Sequence, residues 1–579
     1  MPALPANARK NMKRHHVPIL LSILFLFAGC VAPPQRPDQP ALAPATGSVA
    51  IKLIAFNDFH GNLNTPNLRI PVPDASQSTG FRLERAGGVE QFADMVKALK
   101  AKNRNHVVVS AGDMVGATPL LSALFRDEPT IEAMNLVGVD IHAVGNHEFD
   151  YGAAHLKRLQ AGGCAPGKDG KPDCGGREPY AGSKFAFLAA NVVDTATGQT
   201  LFPSYLIKDF EGVKVAFIGM TLKDTPAIVR PGGTVGLLFR DEVETVNQLV
   251  PEIRAKGVDA IVVVVHEGGV QGAGGGINDC RDFSGRGREL AEKFHPAVDV
   301  VLSAHTHRYY VCEIAGKLMT SAGSYGTLIT EVDLEVDRAT GKVLKKTAQN
   351  RVVDPNGPRD PALTALVAKY SVLAAPLENR VVATVTREVT LVRTPAGEST
   401  LGNLIADAHL HSAAAPEKGG AVIAFNNPGS LRAPIIPAAD GSVKYGELFK
   451  AQPFQNDLIS MNLTGSQIKA LLEQQFSANK RAEVMGVSAG FSYTWDASRP
   501  QGDKVLAGSM RLAGQPIRPD LQYRVVANSF IAGGSEGMTV FRQGTERQVG
   551  VLDLEALVAF LGANSPYSAP GVGRITRLN

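Results

Sequence analysis

The stretch Gly145-Asn146-His147-Glu148-Phe149-Asp150 follows an apolar, β-branched run at 140–144, which places it in a turn at the carboxyl end of a strand. Four other strand ends carry similar residues. The run at 50–56 leads into Asn57-Asp58-Phe59-His60-Gly61, and the run at 106–110 into Ala111-Gly112-Asp113. Further on, 259–265 leads into His266-Glu267-Gly268, and 299–303 into Ala304-His305-Thr306-His307. In α/β sheets the carboxyl ends of strands open onto one crevice, so residues about 250 positions apart can meet there. One His beside a strand is ordinarily a hydrogen-bonded core or surface group, but that explanation does not cover five such elements in this order.

Working outward, residues 49–345 alternate short β-branched runs, including 185–190 and 214–219, with amphipathic helices. A helix at 88–102 carries Val89, Phe92, Val96 and Leu99 on one face, and another at 242–256 carries Val243, Val246 and Val250. This is the pattern of α/β layers. A helix at 361–375 reads as a connector, with Asp360 as N-cap, Leu363, Leu366, Val367 and Tyr370 on one stripe, and Pro376 just beyond. The expected spans are an export signal at 1–29, a Pro-rich tether at 30–48, a first domain at 49–345, a connector at 346–380 and a second domain at 381–579.

Two divalent cations about 3.5 to 4 Å apart need a shared carboxylate, neutral imidazoles and oxygen ligands from several directions, with room for water and substrate. Asp58, His60, Asp113, Asn146, His266, His305 and His307 meet that need by type and number. Their run of D-x-H, G-D, G-N-H-E, H and H-x-H resembles the calcineurin-type metallophosphoesterases, and residues 145–152 resemble the signature of the 5'-nucleotidase family. Ala304 replaces the Gly usual in the last motif, a change expected to be tolerated.

The resemblance implies a layered α/β metallophosphoesterase sandwich followed by a C-terminal α/β nucleotide-binding domain. It implies one metal on Asp58, His60, Asp113 and His307 and a second on Asp113, Asn146, His266 and His305, with Asp113 bridging. His147 and Asp150 would form a catalytic dyad, in which the acid orients an imidazolium that stabilises the phosphoryl transition state or helps the leaving oxygen depart. Mixed nitrogen and oxygen ligation suits zinc or manganese first, and admits cobalt, iron or magnesium. Glu148 and Glu267 read as supporting groups, and His106, His142, His155 and His295 as structural.

In the second half, Asn426-Asn427-Pro428-Gly429-Ser430-Leu431-Arg432, Pro453-Phe454 and the glycine-rich turn at 528–537 would each singly serve only the backbone. Together they resemble the family's nucleotide-binding domain. The implied contacts are Phe454 and Phe530 on the two faces of a base, Asn427 and Arg432 on the substrate, Arg393 on phosphate, and Glu536 where the family has a ribose-binding Asp. Stacking holds any base, and the planar fork of Arg suits a phosphate. His409 and His411, on the helix that begins near Gly402, are expected at the surface.

The chain has 579 residues, 44% hydrophobic and 20% charged, enough for more than one globular core. Its net charge of +4 comes from Arg9, Lys10, Lys13 and Arg14; the rest balances, which argues against general nucleic-acid binding. Those cations precede an apolar run at 17–28 and Ala28-Gly29-Cys30, a pattern that resembles a bacterial lipoprotein signal with Cys30 as the lipidated residue. Four further cysteines in an exported chain favour disulfides. Three pairings are possible, and Cys164 with Cys174 and Cys280 with Cys312 are preferred because each intervening sequence turns back on itself.

The expected protein is thus an exported 5'-nucleotidase, lipid-anchored to a bacterial membrane, in the periplasm or at the cell surface. The alternatives are a nucleotide-sugar or dinucleotide pyrophosphohydrolase, a 2',3'-cyclic nucleotide phosphodiesterase, and a nucleotide-binding lipoprotein without catalysis.

Overall fold

The computed structural model describes residues 47–579, apart from 67, 75, 78–79, 167–171, 175–177, 230–231 and 477–482. The export signal, Cys30 and nearly all of the tether lie outside the described residues. Among these, no helix is long and apolar enough to cross a membrane.

In the first lobe twelve strands build two six-stranded sheets. They are β1 (Ser48–Phe56), β2 (His106–Ser110), β3 (Ile141–Ala143), β4 (Ala186–Leu188), β5 (Tyr205–Phe210), β6 (Val213–Thr221), β7 (Ala260–His266), β8 (Val300–Ser303), β9 (Tyr309–Ile314), β10 (Lys317–Ala322), β11 (Leu328–Asp337) and β12 (Val343–Val352). One sheet runs β12-β11-β1-β2-β3-β4 and the other β5-β6-β7-β8-β10-β9. The central strands are parallel, and antiparallel partners close every edge except that of β4, which pairs in parallel with β3.

Side-chain alternation explains why two sheets stack. Along β7, Ala260, Val262 and Val264 join Val49, Ile51 and Leu53 of β1 in the core between the sheets, whereas Ile261, Val263 and Val265 face outward. That outer face is covered by α4 (Glu242–Ala255) and α5 (Arg286–Lys293). Across the sandwich, Ile54 and Phe56 of β1 pack under α1 (Val89–Ala101), α2 (Glu128–Val137) and α3 (Gly152–Ala161). Strands covered on both faces therefore read as unbroken apolar runs.

All seven expected strands form within a few residues of their predicted ends, and five further strands that were not expected form beside them. The expected domain boundary at 345 cuts through β12, which pairs with β11 as far as Val352. This edge strand is largely polar, so it carries no core signal.

The connector α6 (Pro361–Glu378) starts on an Asp360 carboxylate that accepts the amides of Ala362 and Leu363, and it buries Leu363, Leu366 and Tyr370 against the first lobe. It does not stop before Pro376. That proline lies on the exposed side of the last turn, where the carbonyl that loses its amide partner faces water, so the helix continues for two residues.

The second lobe is built on a sheet ordered β15-β13-β16-β14-β17, made of β13 (Ile423–Asn426), β14 (Asp457–Thr464), β15 (Gly486–Val487), β16 (Gln522–Asn528) and β17 (Thr545–Leu552). Helices α7 (Thr400–Ala413, capped by Ser399) and α8 (Asp553–Ala563) pack together beside it. Leu120 of the first lobe is buried in the second lobe's core beside Leu401, Leu448 and Phe449. Both preferred disulfides form, with Cα separations of 4.8 Å for Cys164–Cys174 and 5.1 Å for Cys280–Cys312.

Near the site the sheets approach closely at Gly219 of β6, where an added Cβ would lie 2.3 Å from Leu188 Cβ on β4. Both positions are backbone-fixed, so Gly219→Ala is expected to destabilise the fold by about 1 to 3 kcal/mol, measured by thermal or denaturant unfolding.

Candidate active site

Five of the expected ligands lie in a backbone region that side chains rarely occupy: Asp58, His60, Asp113, His305 and His307 have φ of 48°, 45°, 48°, 68° and 53°. Each such residue costs on the order of 1 to 3 kcal/mol and persists only where the surroundings dictate it. Here the loops hold one another. The amides of Asp58 and His60 bond the carbonyls of Gly112 and Asp113 at 3.0 Å, and the amide of His305 bonds Asp58 Oδ2 at 3.0 Å.

Glu148 ties the remaining loops together. Its buried carboxylate accepts the amides of Asp113 (3.0 Å), Met114 (2.8 Å), Val115 (3.3 Å) and Gly145 (2.5 Å), and His142 Nε2 lies 3.3 Å from Oε1. Burial opposes its charge, but His142, His266 and the Gly145 amide hold its pKa below the usual glutamate range. Close approach requires the glycines: an added Cβ on Gly112 would lie 2.4 Å from His266 Nδ1, and on Gly145 2.2 Å from Asp113 Oδ1.

The donor atoms form two groups, Asp58 with His60 and His307, and Asp113 with His266 and His305, each with its atoms within 4.8 Å of one another. His60 Nδ1 donates to Gly116 O and His266 Nδ1 to Ala111 O, both at 2.8 Å, which turns each Nε2 lone pair inward. Asp113 Oδ2 sits between the groups, 3.0 Å from His266 Nε2 and 3.6 Å from His60 Nε2. Asn146 Oδ1 lies 3.1 Å from His305 Nδ1.

Asp58 Oδ1 and His266 Nε2 are buried without a hydrogen-bond partner, and His60 and His307 bring their Nε2 atoms to 3.1 Å of each other. Converging lone pairs of this kind fit cations. Burial keeps His60 well below its normal pKa and His305 at about 3, so both imidazoles are neutral at pH 7. Burial opposes charge on His266 as well, but Asp113 and Asp58 push its pKa up to about 10, so a cation bound at that Nε2 would have to displace its proton.

Beside these groups His147 Nδ1 lies 2.7 Å from Asp150 Oδ2. Burial opposes the imidazolium, but Asp150 and then Asp113 push its pKa up to about 9. A cavity of about 230 Å³ opens here. Asn146, His147, Asp150 and His305 line its first-lobe side with Ile228 and Val229, and Asn427, Arg432, Phe454, Phe530 and Glu536 line the opposite side.

The calcineurin-like phosphoesterase family matches residues 51–309, and the 5'-nucleotidase C-terminal domain family matches residues 338–543. The chain belongs to the 5'-nucleotidase family. A 5'-nucleotidase precursor from Thermus thermophilus superposes with a TM-score of 0.70 at 26% identity, over 92% of this chain and all of the other. The endonuclease YhcR of Bacillus subtilis is 32% identical over 91% of this chain, which spans only 41% of that longer protein. The cell wall protein Lmo0130 of Listeria monocytogenes is 29% identical over 90% of this chain and 68% of its own length.

Against this family pattern, Arg393 falls outside the cavity. Its guanidinium is taken by Glu483 at 3.2 Å. His409, expected at the surface, is fully buried beside Gln452, because α7 is covered on that face too. Glu536 accepts from Asn427 Nδ2 at 3.0 Å, and it fits because position 429 is Gly: a Cβ there would lie 2.5 Å from Glu536 Oε1. Missed altogether was Tyr325, whose ring packs edge-on against His60 and His307. The only signal was a Ser-Tyr-Gly turn after an unrecognised strand.

Since Glu148 anchors the Asp113 and Asn146 loops through backbone amides alone, Glu148→Gln is expected to weaken metal binding by about 10- to 100-fold while leaving the chain folded, as read by metal titration beside circular dichroism.

Proposed function

We propose that the chain is an exported, lipid-anchored dimetal phosphohydrolase that releases phosphate from nucleoside 5'-monophosphates. The observation that carries this reading is the cavity itself, in which the dyad and two expected ligands face an arginine and two phenylalanines from the other lobe.

In this reading Asp58, His60, Asp113 and His307 hold one cation and Asp113, Asn146, His266 and His305 the other. When bound, the two cations supply Lewis acidity and a nucleophile at neutral pH. His147, oriented by Asp150 and carrying its proton at neutral pH, donates from Nε2 to the phosphoryl group or the departing ribose oxygen. Arg432 meets phosphoryl oxygens, Phe454 and Phe530 stack the base, and Asn427 and Glu536 meet the ribose. Zinc or manganese is the expected pair.

Export is supported by the basic and apolar leader, by the Ala28-Gly29-Cys30 sequence and by two disulfides, which persist in oxidising compartments. The name of the Listeria relative, a cell wall protein, points the same way. A second reading, cleavage of a phosphodiester or pyrophosphate bond, draws support from the name of the Bacillus endonuclease.

Phosphate release should be assayed on AMP, ATP, UDP-glucose, NAD and 2',3'-cyclic AMP with each divalent metal. AMP is expected to be the best substrate, and Asp113→Ala to lower kcat by about 10³-fold or more; activity that survives this substitution would falsify the dimetal reading. Phe454→Ala is expected to raise KM for AMP about tenfold through lost stacking, measured from initial rates.

A further inference from the structure

We infer that Tyr325 is a positioning residue that fixes the Arg432 guanidinium over the metal ligands, so that the metal-binding lobe sets where the other lobe's phosphate-binding cation stands. The inference rests on the phosphohydrolase reading and adds a residue that neither the ligand set nor the dyad includes.

Tyr325 is held rigidly. Its φ of 61° is unusual for an aromatic residue, and the turn is secured from the first ligand loop: the Tyr325 amide bonds Asp58 O at 2.7 Å, Asn57 Nδ2 bonds Gly323 O at 2.7 Å, and Asn57 Oδ1 accepts the Ala322 amide at 2.7 Å. The ring is wedged edge-on against His60 and His307, with centroids 5.8 and 5.4 Å away. Its hydroxyl is thereby placed by the same loop that carries Asp58.

Arg432, by contrast, is an exposed side chain on the second lobe, and a free arginine has many rotamers. Two groups narrow them. Nη2 reaches Tyr325 Oη at 3.4 Å, and the guanidinium lies 5.3 Å from the ring centroid of Phe454, which in turn stacks near His147 at 5.9 Å. The phenol oxygen accepts one N–H, so the other guanidinium donors are left for phosphoryl oxygens and the hydroxyl proton is available to the same anion. Preorganisation of this kind acts on binding of the phosphate more than on the chemical step.

The test is a double-mutant cycle of Tyr325→Phe and Arg432→Ala in the full-length, metal-loaded protein, with three readouts: KM and kcat on AMP, the inhibition constant of inorganic phosphate, and metal stoichiometry by titration. Tyr325→Phe keeps the ring against His60 and His307. It is expected to raise KM and the phosphate inhibition constant about five- to tenfold, as for one lost hydrogen bond to a charged group, with kcat within about twofold and two metals still bound. In the Arg432→Ala background it is expected to add nothing further.

Equal effects of Tyr325→Phe in both backgrounds overturn the inference, as does loss of metal in Tyr325→Phe. A silent Tyr325→Phe beside a damaging Arg432→Ala overturns it while leaving the phosphohydrolase reading intact. A metal-loaded chain that releases phosphate from no nucleotide overturns both.

Discussion

A single buried carboxylate holds the ends of two strands together. Glu148 gathers the amides of Asp113, Met114, Val115 and Gly145, and so joins the loop after β2 to the loop after β3. An isolated ionised carboxylate in such a place is strongly disfavoured. Here four N–H groups and the nearby His142 satisfy it, and the same contacts stop either loop from relaxing. The left-handed conformations of Asp58, His60 and Asp113 become tenable because these loops are tied to each other.

The sandwich supplies the second constraint. Each sheet alone would bring only part of the ligand set together: β1, β2 and β3 carry Asp58, His60, Asp113 and Asn146, while β7 and β8 lead to His266, His305 and His307. Stacking the sheets through Val262, Val264, Ile51 and Leu53 brings the two partial sets to one rim. Hydrophobic burial far from the chemistry thus sets distances of 3 to 4 Å between groups that would otherwise repel or dehydrate one another.

Much of this was legible in the chain because the relevant signals are local. β-branched runs marked the central strands, Asp360 marked a helix start, and the motif residues followed strands in order. The polar edge strand β12 gave no such signal, since its partner lies on one side and water on the other. Burial of His409 depends on Gln452, 43 residues away, and the engagement of Arg393 by Glu483 spans 90. Tyr325 was invisible for a related reason: a tyrosine in a left-handed turn contradicts its own preference, and only the neighbouring Asn57 and Asp58 explain why it is there.

Leu120 lies seven residues beyond Asp113, yet its side chain belongs to the other lobe's core. The segment bearing Asp113 is therefore moored at one end to the imidazole of His266 and at the other to the neighbouring lobe's hydrophobic interior. Splitting the halves would leave an unfilled socket on one piece and an exposed leucine on the other, and would free the Asp113 loop at its far end.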